Sequence, residues 1–173
     1  DASQHILKQN LSPLDLLEIE HDLIQHKIKI SQAAIDRMKM KLEKEGIKNF
    51  IIFHPSAQYS YKIFPKESRD ILLKMLNNLG VPIIVSGSNG LIDTEIKLNL
   101  PTLPNIYDFI GETSLDEYIA LSSLAKAYVG MDTLNMHIAA SQNKRIFAIF
   151  GPTILNIRSP WSNELNTSIS KNY

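Results

Sequence analysis

Short apolar runs alternate with amphipathic stretches along most of this chain. Five runs stand out: 49–53 (NFIIF), 81–85 (VPIIV), 106–110 (IYDFI), 127–130 (AYVG) and 145–150 (RIFAIF). Apolar runs of this length, rich in β-branched and aromatic residues and bounded by turn residues, predict buried strands. The stretches between them carry helical spacing. Ser31 caps a helix with Ile35, Met38 and Leu42 on one face and Gly46 past its end. The charged run Lys39, Lys41, Glu43, Lys44 and Glu45 fits its solvated side. Pro65 or Lys66 opens a second helix, with Ile71, Leu72, Met75, Leu76 and Leu79 predicted inward and Gly80 as its stop. Residues 91–105 fit a short helix and a loop. Ser114-Leu115-Asp116-Glu117 is a capping box, in which Ser and Glu side chains satisfy free N–H groups at a helix start. Met136-His137-Ile138-Ala139-Ala140 follows the polar turn Asp132-Thr133 as a short helix.

Strands joined by helical crossovers predict an α/β fold, a doubly wound parallel sheet. The ends of the chain are less regular. Ser12-Pro13 reads as the start of a helix over 15–24, with Leu16, Leu17, Ile19, Leu23 and Ile24 as its stripe. No strand precedes it, so residues 1–30 fit an arm or interdomain linker and 31–161 the domain proper. After Thr153 no further strand is evident, and 162–173 reads as a C-terminal tail.

Composition narrows the choice of function. The 173 residues carry 18 basic and 18 acidic side chains, a neutral balance that argues against a nucleic-acid surface driven by phosphate contacts. The chain suffices for one domain with a real core. No apolar run approaches a membrane span and no signal peptide is visible. With no cysteine, disulfides and thiolate metal sites are out. The first residue is Asp1, and the N-terminus reads as cut from something longer.

In parallel sheets ligands bind beyond the carboxyl ends of the strands. Those ends here carry Ser56, then Gly87-Ser88-Asn89, then Gly111 with Thr113-Ser114, then Asp132-Thr133 with His137. Free N–H groups at a helix start and glycine-rich turns suit anions, phosphates above all. Lys62, in the first loop, suits a diphosphate. Each has a plainer reading: Asp132, Thr133 or Asn135 as a helix cap, His137 as a first-turn residue, Lys62 as a solvated lysine. No GxGxxG follows the first strand, no Walker A sequence is present, and no serine sits in a nucleophile elbow. The five histidines lack metal-site spacing. A receiver-like signalling domain would need acidic residues after the first strand, where His54-Pro55 stands.

Five motifs in order carry a resemblance: His54-Pro55-Ser56, Lys62-x-Phe64-Pro65, Gly111-x-Thr113-Ser114-Leu115, Asp132-Thr133-x-x-x-His137-x-Ala139-Ala140 and Phe150-Gly151-Pro152-Thr153. Over about residues 46 to 161 the chain resembles the C-terminal, donor-binding domain of the lipopolysaccharide heptosyltransferases (glycosyltransferase family 9). The resemblance implies the Rossmann-like half of a two-domain GT-B glycosyltransferase, holding a nucleotide-sugar, typically ADP-heptose, for inverting transfer. It implies no cofactor and no obligatory metal. Ser56 and Lys62 would bind the diphosphate, Asp132 the sugar hydroxyls, Thr133 and the backbone at Leu134 a phosphate, and His137 would brace that loop or the phosphates. Asn89 and Thr113 would lie near the nucleoside. The general base and the contacts to the lipopolysaccharide core acceptor belong to the family's N-terminal domain, so this fragment alone is expected to bind donor weakly and transfer nothing. The implied location is the cytoplasm, peripheral at the inner membrane of a Gram-negative bacterium.

Two departures from the family pattern matter. Leu134 stands where the family has glycine after Asp-Thr, and Asn89 where it often has an acidic nucleoside contact. Leu134 favours the alternative, a non-catalytic nucleotide or sugar-nucleotide binding module.

Overall fold

The computed structural model describes residues 4–21, 28–161 and 166–170. Its centre is a parallel sheet with strands β1 (Ile51–His54), β2 (Ile83–Gly87), β3 (Ile106–Ile110), β4 (Ala127–Met131), β5 (Arg145–Phe150) and β6 (Asn166–Ser170). They lie side by side in the order β3-β2-β1-β4-β5-β6. The five predicted strands are all present. β1 and β2 start two residues later than their apolar runs and extend to polar ends, because the parallel ladder carries Phe53 to Val85 and His54 to Gly130. β6 is the strand that composition hid: its polar sequence pairs with β5 from Ile146↔Asn166 to Phe150↔Ser170, within the stretch expected to be a tail.

The helices are α1 (Ile6–Leu16), α2 (Gln32–Lys44), α3 (Lys66–Asn77), α4 (Leu91–Leu98), α5 (Leu115–Leu124), α6 (Leu134–Ser141) and α7 (Leu155–Arg158). Side chains alternate across each strand, and two separate cores follow. Ile52, Ile84, Tyr128, Ile146 and Ala148 pack with Met38 and Leu42 of α2, Leu121 of α5 and Met136 of α6. On the other face Phe53, Val85 and Val129 pack with Leu73 and Leu76 of α3 and Ile96 of α4. Helices on both faces make the sheet doubly wound.

Two sequence expectations fail here. In α3 the inward set is Arg69, Leu73 and Leu76, spaced i, i+4, i+7, while Ile71, Met75 and Leu79 face water. A charged residue at the head of the true stripe disguised it. The first helix is α1, and Pro13 lies inside it instead of starting one over 15–24. Proline cannot donate to the carbonyl four residues back, and the Ser12 hydroxyl donates to that carbonyl, Gln9 O, at 2.8 Å. Leu16, Leu17 and Ile19 are exposed; Leu23 and Ile24 lie outside the described residues.

Local chemistry that was legible is observed. Ser31 Oγ accepts from the Ala34 N–H, Gly46 takes the left-handed φ of +70° past α2, and Ser114 and Glu117 form the capping box of α5.

Candidate functional site

The chain winds outward from β1 through β2 to β3, then returns to place β4 on the other flank of β1. The crossovers after β1 and β4 therefore part on opposite faces, which opens a crevice at the carboxyl ends between them. A cleft of about 910 Å³ occupies this place. Among the residues lining it are Ser56, Lys62, Thr113, Asp132, Thr133, Leu134 and His137. Seven of the eight expected contact residues thus share one cleft. Asn89 does not line it. Gly111, at φ +76°, turns the backbone under the Asn89 side chain so tightly that an added Cβ would stand 2.0 Å from Asn89 Oδ1.

Lys62 reaches the cleft from a turn of 3₁₀-helix, Ser60–Lys62, in the loop after β1. That loop packs against the turn after β5 at Gly151. Lys62 Nζ stands 3.4 Å from Asp132 Oδ2, with the lysine side chain partly exposed and the aspartate buried. Charge-assisted N–H···O bonds close to about 2.7–2.9 Å, so this pair is loose. Thr133 is the N-cap residue of α6 by position, yet its side chain makes no cap hydrogen bond; its buried Oγ1 lies beside the Tyr128 hydroxyl. The plainer capping reading of Thr133 is therefore not what the structure contains. Leu134, next in line, is 62% exposed.

Beneath the cleft floor lies His54, at the end of β1. Its alternation with Phe53 puts the imidazole on the α5–α6 side of the sheet. Nδ1 lies 3.0 Å from the Ser86 carbonyl oxygen, 3.1 Å from Ser86 Oγ and 2.9 Å from the Asn135 side-chain amide. Nε2 lies 3.4 Å from Ser56 Oγ. Burial pushes the His54 pKa down to about 4, against smaller opposing effects of the Asp93 charge and the Ser86 carbonyl. The ring is therefore neutral at pH 7. Asp93, in the first turn of α4, accepts from the Ser88 N–H at 2.8 Å and holds the β2 turn. Gly87 leaves room for it, since a Cβ there would stand 2.7 Å from Asp93 Oδ1.

Sequence reasoning gave Asn135 only a possible helix-cap role, quoted His54 only within a motif, and assigned nothing to Asp93 or Arg158. The period-2 pattern of β1 could have placed His54 inward; nothing in the sequence brings Asn135 to it. Arg158, at the end of α7, lines the cleft and has no hydrogen bond or ion pair among the described residues. Its flanking backbone is fixed: His5 Nε2 donates to the Ser159 carbonyl at 2.8 Å, and the His5 ring packs on Trp161 at 4.7 Å between centroids.

The arrangement can hold an anion between one loosely paired and one unpaired cation, beside the α6 N-terminus and a carboxylate that accepts from hydroxyls. A family model described as Glycosyltransferase family 9 (heptosyltransferase) matches residues 1–173. Lipopolysaccharide heptosyltransferase 3 of Escherichia coli is 25% identical over 166 residues, 93% of this chain and 48% of that protein. Lipopolysaccharide heptosyltransferase 2 of E. coli K12 is 30% identical over 117 residues, 65% of this chain and 34% of that protein. Among solved structures, a family 9 glycosyl transferase from Veillonella parvula matches with a TM-score of 0.83 at 18% identity, covering 98% of this chain and 51% of its own. E. coli ADP-heptose lps heptosyltransferase II matches at 0.72 and 25% identity, covering 88% and 47%. The chain spans about half the length of the curated relatives it matches.

Proposed function

The chain belongs to glycosyltransferase family 9, the heptosyltransferases, and we propose that it is the half of such an enzyme that binds the nucleotide-sugar donor, an ADP-heptose, for inverting transfer to the lipopolysaccharide core. The observation that carries this reading is the Lys62–Asp132 pair, which spans the crevice where the winding of the sheet reverses. The donor domain would run from residue 31 through β6, which closes its sheet, with residues 1–30 the connection to the acceptor-binding half.

In this reading the diphosphate enters between Lys62 and the start of α6, and Asp132 turns from the lysine to the sugar hydroxyls. Thr133 supplies its hydroxyl to a phosphate, and His137 braces the same turn. Thr113 lies toward the nucleoside with the β2–β3 edge, and Asn89 acts there only through the Gly111 turn. Arg158 adds a planar fork suited to phosphate oxygens. Charge gathers on the diphosphate as the sugar leaves it, and fixed cations and N–H groups aimed at that charge lower the barrier. The reading needs no metal or other cofactor.

The acceptor hydroxyl must lose a proton to a base within hydrogen-bond reach. Asp132 is committed to the donor, so the base and the core-oligosaccharide contacts are assigned to the part of the relatives that this chain does not match. The protein would work in the cytoplasm, peripheral at the inner membrane of a Gram-negative bacterium; no helix among the described residues is long and apolar enough to cross a membrane. Calorimetry with ADP and ADP-heptose tests the donor site: weak but saturable binding is expected. Heptose transfer by these 173 residues alone would overturn the half-enzyme reading. The exposed Leu134 side chain at the α6 start favours a second reading, a sugar-nucleotide binding module without transfer, and an activity assay of the full reading frame separates the two.

A further inference from the structure

Four polar atoms crowd the His54 ring, and only one has a fixed sense. The Ser86 carbonyl, 3.0 Å from Nδ1, can only accept. The Ser86 hydroxyl can donate or accept, and the Asn135 amide, whose nitrogen stands 2.9 Å from Nδ1, can turn over to offer its oxygen there instead. The carbonyl therefore sets the proton on Nδ1. A neutral imidazole with its proton there has a bare lone pair on Nε2, and the polar atom facing that lone pair is Ser56 Oγ at 3.4 Å. The ring is buried, so an unmatched Nε2 would be costly. The Ser56 hydroxyl is itself buried, which leaves its single proton directed at the ring.

We propose that His54 is a positioning residue that engages the Ser56 proton, so that Ser56 Oγ meets the bound ligand as a hydrogen-bond acceptor and takes a hydroxyl of the nucleotide-sugar instead of donating to its diphosphate. This rests on the donor-site reading above and changes one part of it: the Ser56 side chain moves from the phosphates to a sugar, while Lys62 keeps them. A serine that presents lone pairs beside a diphosphate repels a phosphate oxygen and welcomes an O–H. The hydroxyl can come from the ribose or from the transferred sugar, and the chemistry of the contact is the same for both.

Two measurements on the 173-residue chain test this. Long-range nitrogen-15 NMR of the histidines at pH 7 is expected to find His54 protonated on Nδ1 and bare on Nε2, both free and with ADP bound. The opposite tautomer, or a doubly protonated ring, overturns the proposal without any variant being made. Ser56→Ala is then titrated with pyrophosphate, adenosine and ADP-heptose, beside Lys62→Ala. Pyrophosphate binding should stay within about twofold of wild type in Ser56→Ala. A loss of roughly five- to thirtyfold is expected on adenosine if the ribose is the partner, or on ADP-heptose alone if it is the transferred sugar. A loss on pyrophosphate matching that of Lys62→Ala overturns the proposal, as does no loss on any probe. If Lys62→Ala binds pyrophosphate and ADP-heptose as wild type does, the donor-site reading fails, and that result is distinct from both.

Discussion

Lys62 and Asp132, 70 positions apart in sequence, face each other at 3.4 Å across the crevice beside the central strand. The pair does two things before any ligand arrives. It keeps a buried carboxylate company, and it keeps a lysine pointed where a diphosphate would sit.

Breaking the pair from either side should have opposite effects. Lys62→Ala removes a cation from an anion site and is expected to lower ADP affinity at least tenfold, about 1.4 kcal/mol. Asp132→Asn frees the lysine, so ADP should bind as well as before or better, while the preference for ADP-heptose over ADP shrinks. Calorimetry with both ligands on both variants reads this. Equal losses on ADP from the two substitutions would contradict the assignment.

Leu134 covers the first turn of α6 with an exposed side chain. Leu134→Gly should let a phosphate approach the N–H groups of Thr133 and its neighbours and tighten ADP several-fold. It should also weaken the helix by up to about 1 kcal/mol, a fall in Tm of roughly 2–4 °C for a chain of this size. Thermal melts with and without ADP separate the two effects. A variant that loses ADP affinity would mean that the leucine is a contact and not an obstacle.

Gly130 sits where β4 passes β1 most closely. A Cβ there would stand 2.4 Å from the His54 carbonyl oxygen and 2.8 Å from the Tyr128 hydroxyl. Neither can give way easily: one belongs to the sheet backbone, and the other donates to the Met131 carbonyl at 3.0 Å. Gly130→Ala is expected to cost about 3 kcal/mol and to lower Tm by roughly 6–12 °C. An unchanged melting curve would show that the strands can part at this point.

His54 gives stability a definite pH dependence. Its pKa falls from 6.5 in the unfolded chain to about 4 in the fold, so below pH 6.5 the unfolded chain binds the proton first. The stabilisation is whole above 6.5 and drains away as pH falls through 4, a loss of roughly 3 kcal/mol. Urea unfolding at pH 7 and pH 4.5 should show much of this fall in the wild type. His54→Gln, which cannot take up the proton, should show less of it; equal slopes would assign the effect to other groups.

The sheet was legible because each of its first five strands is built on a short, mostly apolar run, and the turns at their carboxyl ends were legible from Ser, Gly, Asp and Thr. β6 was not, since Asn166, Thr167 and Ser168 carry no apolar signal and the strand is specified by its pairing with β5. The stripe of α3 was misread because Arg69 opens its buried face. At the site, motif order was enough to gather Lys62, Asp132, Thr133 and His137 in one cleft. What sequence could not supply was the underside: Asn135 meets His54 across 81 positions, and Ser86 across 32. Asn89 stands just off the cleft lining, between Ser88 and Gly90, which line it. Its side chain lies against the left-handed turn at Gly111, just past β3.

The grip of His5 on Ser159 and Trp161 ties the beginning of the chain to the lip that carries Arg158. A tilt of α1 would pull on a carbonyl one residue away from the guanidinium. The first helix is thus coupled to the cleft like a tendon, through a single imidazole.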